Sequence, residues 1–166
     1  MRFPKGVLVG DGNTWLSKLK NGKVCEVICA RKCVSADSLV HDDTQKSRFS
    51  NVVSGEMHNG FRVKVTTQFL SRKAMYTVSL VFKHNSTNHG THIPFKFKLD
   101  EDRSYSNSGM THVRDDGWLM TELCQFTSNK KEHELGIHFL PLFNITSSSI
   151  EYVFESVEFR PVVYVS

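Results

Sequence analysis

Apolar and polar residues alternate with a period of two along much of this chain, and that pattern limits its fold more than any other feature. In residues 61 to 69, Phe61, Val63, Val65, Thr67 and Phe69 share one face of an extended segment while Arg62, Lys64, Thr66 and Gln68 share the other, as a half-buried strand requires. Residues 93 to 99 repeat it, with Ile93, Phe95, Phe97 and Leu99 facing in and Lys96 and Lys98 facing out. Pro94 places that strand at a sheet edge, because proline has no N–H for the ladder. Residues 75 to 83 are more continuously apolar (Met75, Tyr76, Val78, Leu80, Val81, Phe82), as expected of a central strand covered on both faces. Further strands are expected at 23 to 30, 118 to 124, 135 to 143 and 150 to 159. The turn-rich segment from Asp100 to Asp116, with its Ser, Asn, Asp and Gly, reads as a long mobile loop. Only Ser17 to Lys20 and Ser35 to Phe49 have room for a short helix. The expected fold class is all-β, an antiparallel sandwich or barrel with little helix.

With 166 residues the chain is expected to form a single domain over 1–166. Twelve Phe residues reinforce the strand reading. The net charge of +4 sets 21 Lys and Arg against 17 Asp and Glu, and basic residues gather only into pairs such as Lys130-Lys131. A nucleic-acid partner is therefore not expected, since such binders collect bases into a stripe or patch. No apolar run approaches the ~20 residues of a spanning helix, so membrane insertion is not expected. The start, Met1-Arg2-Phe3-Pro4-Lys5-Gly6, lacks a signal-peptide apolar core, which points to a cytoplasmic or nuclear location. In that setting Cys25, Cys29, Cys33 and Cys124 should be free thiols, and Asn85-Ser86-Thr87 and Asn144-Ile145-Thr146 chance glycosylation matches.

Catalytic and metal-binding patterns are weak. His133-Glu134-Leu135-Gly136-Ile137-His138 resembles a zinc-protease motif, but that motif needs its histidines four apart on a helix. A separation of five puts them on opposite faces of a strand. Cys25, Cys29, Cys33 and His41 could be imagined as a zinc set, yet the Cys25 to Cys29 stretch reads as a strand with two small buried thiols on one face. His84, His89 and His92 read as turn residues. There is no Gly-x-Ser-x-Gly elbow and no phosphate loop. Glu122, Glu132, Glu134, Glu151, Glu155 and Glu158 could pair across strands, but no pattern selects a pair. No enzyme activity, cofactor or metal is expected.

Three segments together resemble the Nictaba-like lectin, or phloem protein 2, family. Leu70-Ser71-Arg72-Lys73-Ala74-Met75-Tyr76 through Leu80-Val81-Phe82-Lys83 is similar to the family's turn and Tyr-containing strand. Arg114-Asp115-Asp116-Gly117-Trp118-Leu119-Met120-Thr121-Glu122-Leu123 resembles its Asp-Gly-Trp segment, with Gln125-Phe126 where a Glu-Phe would stand. Val157-Glu158-Phe159-Arg160-Pro161 resembles its closing strand. Lys23 to Arg31 and Ser47-Arg48-Phe49 fit members with an N-terminal extension, here residues 1–22 packed on the domain. The resemblance implies a jelly-roll-like β-sandwich. Trp118 is assigned to the core after a turn at Asp116-Gly117, and Arg160 to a neighbouring carboxylate.

The resemblance also implies carbohydrate binding, to N-acetylglucosamine oligomers or N-glycans. In sugar-binding relatives a Trp-rich segment follows the position of Ala30-Arg31; here residues 32 to 43 contain no Phe, Tyr or Trp. The family's acidic strand aligns with Glu132 and Glu134, while a further acid falls at Phe139. Weak binding or altered specificity is expected, with hydroxyls held by Asp42, Asp43, Glu132 and Glu134. The alternative is a sugar-independent protein-interaction or sensor domain of a plant signalling, F-box or kinase-linked protein, so protein partners are also expected.

Overall fold

The computed structural model describes residues 5–10, 12–34, 40–42, 47–49, 52–56, 61–84, 95–141 and 151–163. Along them run β1 (Gly6–Val9), β2 (Thr14–Lys18), β3 (Val24–Cys29), one helical turn α1 (Ala30–Cys33), β4 (Val40–Asp42), β5 (Val52–Glu56), β6 (Phe61–Thr66) and β7 (Ala74–His84). The chain continues through β8 (Phe95–Leu99), β9 (Ser106–Asn107), β10 (Thr111–Val113), β11 (Leu119–Ser128), β12 (Glu134–Pro141) and β13 (Glu151–Pro161). The large sheet is ordered β1-β2-β3-β13-β7-β11-β10, with β5 also on β13 and β4 outside β5; the small sheet is ordered β6-β12-β8-β9. The two sheets form an all-β sandwich.

Alternation explains why the sheets face each other. Val63 and Val65 of β6, Ile137 and Phe139 of β12 and Phe97 of β8 meet Leu80 and Phe82 of β7 and Phe154, Val157 and Phe159 of β13 in one core. Phe61 stacks on Phe139 at 4.8 Å and lies 4.4 Å from Phe154. Each fully buried aromatic among them contributes about 1.5–3 kcal/mol. Two bulges adjust the pattern. On β13 the register shifts between Phe154 and Ser156, so the inward set passes from Tyr152 and Phe154 to Val157 and Phe159. On β11 the shift between Glu122 and Cys124 does the same for Leu119 and Leu123 against Cys124 and Phe126.

The other face of the large sheet is covered too. Cys25, Val27, Cys29 and Phe49 form one cluster with Trp15 against it, and Val52, Val81, Trp118 and Met120 form another. β7 is central, between β13 and β11, as its apolar sequence demands. The turn before Trp118 is built as the residues suggest: Gly117 sits at a φ of 87°, and Asp116 Oδ1 accepts the Trp118 N–H at 3.2 Å.

Several expectations need correction. Ser17 and Lys18 belong to β2, paired with Cys25 and Val24, not to a helix. Within 35–49, Val40–Asp42 form a strand on β5, while 35–39 and 43–46 lie outside the described residues. The 100–116 segment is not one long loop: β9 and β10 pair with β8 and β11, and Asp102 Oδ2 tightens its start by accepting the Leu99 N–H at 3.0 Å. Phe69 leaves the inward face of its strand and is 38% exposed. The buried Glu26 carboxylate turns the chain there by accepting the N–H groups of Gln68 and Phe69, each at 2.9 Å. Ile93 and Pro94 lie outside the described residues.

Candidate functional site

The side chains that alternate with the core on β6, β12 and β8 make the outward face of the small sheet. Register sets Glu134 opposite Thr66, Gly136 opposite Lys64, and His138 opposite both Arg62 and Lys98. Asp100, just past β8, folds its carboxylate over Gly136. Oδ2 accepts from Arg62 Nη2 at 2.6 Å and Oδ1 bonds His138 Nε2 at 2.9 Å. A Cβ on Gly136 would collide with Asp100 Oδ2. Glycine in mid-strand is therefore the condition for this carboxylate's seat.

The Arg62 hydrogen bond holds the Asp100 carboxyl below the ordinary carboxylate range; desolvation opposes this, and His138 adds to the lowering. Glu134 pairs with Lys64 at 2.9 Å, both more than half exposed, so this pair fixes orientation more than it stabilises. Tyr105 is 38% exposed, with Lys98 Nζ 5.1 Å from its ring centre. Among the described residues, the face thus joins exposed carboxylates held in place by cations with the partly exposed Tyr105 ring.

Of the residues expected to bind sugar, Glu134 stands on this face and Glu132 is exposed just before it. Asp42 ends β4, which belongs to the other sheet. Asp43 lies outside the described residues. Neither spacing nor family resemblance singles out Asp100, Arg62, His138 or Tyr105 as a ligand-binding group. The sequence signal nearest to them is Gly136, a lone glycine in mid-strand between Leu135 and Ile137.

Several other acids and nucleophiles among the described residues have structural partners. Glu155, inserted by the β13 bulge and fully buried, accepts from Arg48 at 2.9 Å, Arg114 at 3.2 Å and Ser47 Oγ at 3.0 Å. Glu158 pairs with Arg160 at 2.6 Å, the partnership expected for that arginine. His133 Nε2 lies 3.3 Å from Ser128 Oγ, with its ring edge-on to Phe126, while His138 faces outward. Cys25 and Cys29 lie on the outer face of the large sheet and Cys33 in the central core. Burial pushes the Cys25 thiol up to about 12 and the Cys124 thiol to about 11, far from an activated nucleophile. Trp118 is buried, with Lys83 Nζ 4.5 Å over its ring, and offers no face to a sugar. His89 and His92 lie outside the described residues.

A family model described as Phloem protein 2 matches residues 34–161. The chain belongs to the phloem protein 2 family. The matched span holds β4 through β13 and the whole small sheet, including the Asp100 face. The phloem protein 2 domain is lectin-like, a carbohydrate-binding type of module in the broad sense. The Arabidopsis thaliana protein named putative F-box protein PP2-B12 is 29% identical over 148 residues, 78% of this chain. The chain spans 59% of that protein's length. Among solved structures, the GH115 4-O-methyl-α-glucuronidase BtGH115A aligns over 82% of the chain and 17% of its own, at 13% identity and a TM-score of 0.50; this is a likeness of fold. The insecticidal δ-endotoxin Cry8Ea1 of Bacillus thuringiensis aligns over 68% of the chain and 20% of its own, at 13% identity and a TM-score of 0.45.

Proposed function

We propose that the chain is a non-catalytic carbohydrate-binding module, and that it takes N-acetylglucosamine oligomers or N-glycans weakly, or with altered specificity, on the outward face of the small sheet. The supporting observation is the Asp100 carboxylate, exposed yet fixed from two sides by Arg62 and His138. An ionised carboxylate only accepts hydrogen bonds, which suits the hydroxyl donors of a sugar, and Tyr105 supplies an apolar ring face for its C–H groups. One ring in place of a Trp-rich platform keeps the affinity low. Absence of catalysis fits Glu155 and Glu158 being held by arginines. The location we propose is cytoplasmic or nuclear, where cysteine thiols stay reduced.

A glycan array probed with the native chain and with Tyr105→Ala tests this reading. Binding to N-acetylglucosamine oligomers or N-glycans, cut severalfold by the substitution, supports it. No signal at high protein concentration, or a signal indifferent to Tyr105, contradicts it.

The second reading is a sugar-independent interaction domain of an F-box or kinase-linked signalling protein. The F-box relative and the chain's 59% share of its length favour it. Capture of protein partners from plant extract that chito-oligosaccharide does not displace would support it.

A further inference from the structure

At the β1 edge the large sheet extends into a cleft of about 530 Å³, whose described lining includes none of Arg62, Asp100, Tyr105, Glu134 or His138. Leu16, Val24 and Leu70 line it, and Val7 and Phe69 flank it while remaining 62% and 38% exposed. Exposed apolar side chains gathered in one cleft can seat the side chains of a partner. The 69–72 wall is rigid. Tyr76 Oη accepts the Ser71 N–H and donates to Val24 O, both at 2.8 Å, Ser71 Oγ accepts the Val24 N–H at 3.0 Å, and Glu26 holds Phe69 from below.

Two further features narrow the occupant. β1 is the last strand of its sheet, and no described strand pairs with its outer edge, so its outward N–H and C=O groups can receive another strand. Lys5, Lys18, Arg72 and Lys131 also line the cleft, with no carboxylate among its described lining residues. None of these four makes an ion pair with another described residue.

We propose that this cleft docks an acidic, extended peptide segment of a partner protein, which adds to β1 as a strand and sets alternate apolar side chains beside Leu16 and Phe69 while its carboxylates meet the four cations. Strand addition supplies main-chain hydrogen bonds, and the pocket reads every second side chain. A second copy of this chain is disfavoured, because edge-to-edge pairing would bring two sets of the same four cations together. This inference does not rest on the glycan reading.

The probes are two fluorescent peptides, one alternating Glu with Val and Leu and its counterpart with Lys in place of Glu, titrated against the full chain by polarisation and amide NMR. The acidic peptide should bind, shifting Val7, Leu16, Phe69 and Arg72, and its binding should weaken as salt rises. Lys18→Glu and Arg72→Glu, both at exposed positions, should together reduce affinity by about tenfold or more. Equal binding of both peptides, shifts confined to Tyr105 and His138, indifference to the charge reversals, or no binding would each overturn the proposal. Self-association through β1 that displaces the acidic peptide would overturn it as well. A parallel titration with chitotriose, read at Tyr105 and His138, tests the glycan reading separately.

Discussion

Asp100 is the residue on which the carbohydrate reading turns, and its protonation is measurable on its own. Its carboxyl pKa lies below the ordinary 3.8, chiefly through the Arg62 hydrogen bond. A depressed acid stabilises the folded arrangement above its ordinary pKa and loses that contribution as pH falls through the folded value. Carboxyl-carbon NMR should therefore place the Asp100 midpoint below 3.8, and Arg62→Ala should move it upward. An unchanged midpoint in that variant would mean the Arg62 contact is absent in solution. At this scale the sequence is only partly readable. Glu134 can be placed on an outward strand face from the alternation, but Asp100 reaches that face by folding back from a turn, which periodicity does not encode.

Among the elements, β13 holds the most together, since it pairs with β3, β5 and β7 and seats Glu155 at its bulge. Through Glu155 it ties down Ser47 and Arg48 before β5 and Arg114 before β11. Removing one partner of a buried ion pair leaves the others uncompensated, at a cost of about 3–5 kcal/mol. Glu155→Ala should lower stability by that order in urea denaturation, whereas exposed Glu122→Ala should change it little. Equal effects would show that the buried network is not what holds these segments. The strands themselves are legible in the sequence, because Val63, Val65, Ile137 and Phe97 obey a period of two. The bulges are not, since a one-residue insertion is fixed by the neighbouring strand's register. Nor are β9 and β10, whose two and three residues are too short to show a period and are paired only because β8 and β11 lie beside them. The room for a short helix at Ser17 goes unused for a similar reason: Ser17 and Lys18 pair with β3 instead.

For the whole molecule, the sandwich and the family assignment agree: the residues that resemble the family's Asp-Gly-Trp and closing strands prove to be the β10–β11 turn and the centre of the large sheet. Family resemblance thus locates the architecture and a buried Trp118, while the surface proposed to offer carboxylates to a sugar becomes visible only once Gly136, Asp100 and Tyr105 are seen together. Carbohydrate binding at the small sheet is tested most directly by amide NMR of the full chain titrated with chitotriose and with a high-mannose glycan, because this method registers weak binding. Shifts concentrated at Tyr105, Asp100, Glu134 and His138 are expected with either sugar. A well-dispersed spectrum that neither sugar perturbs at those residues would contradict a glycan site on this face.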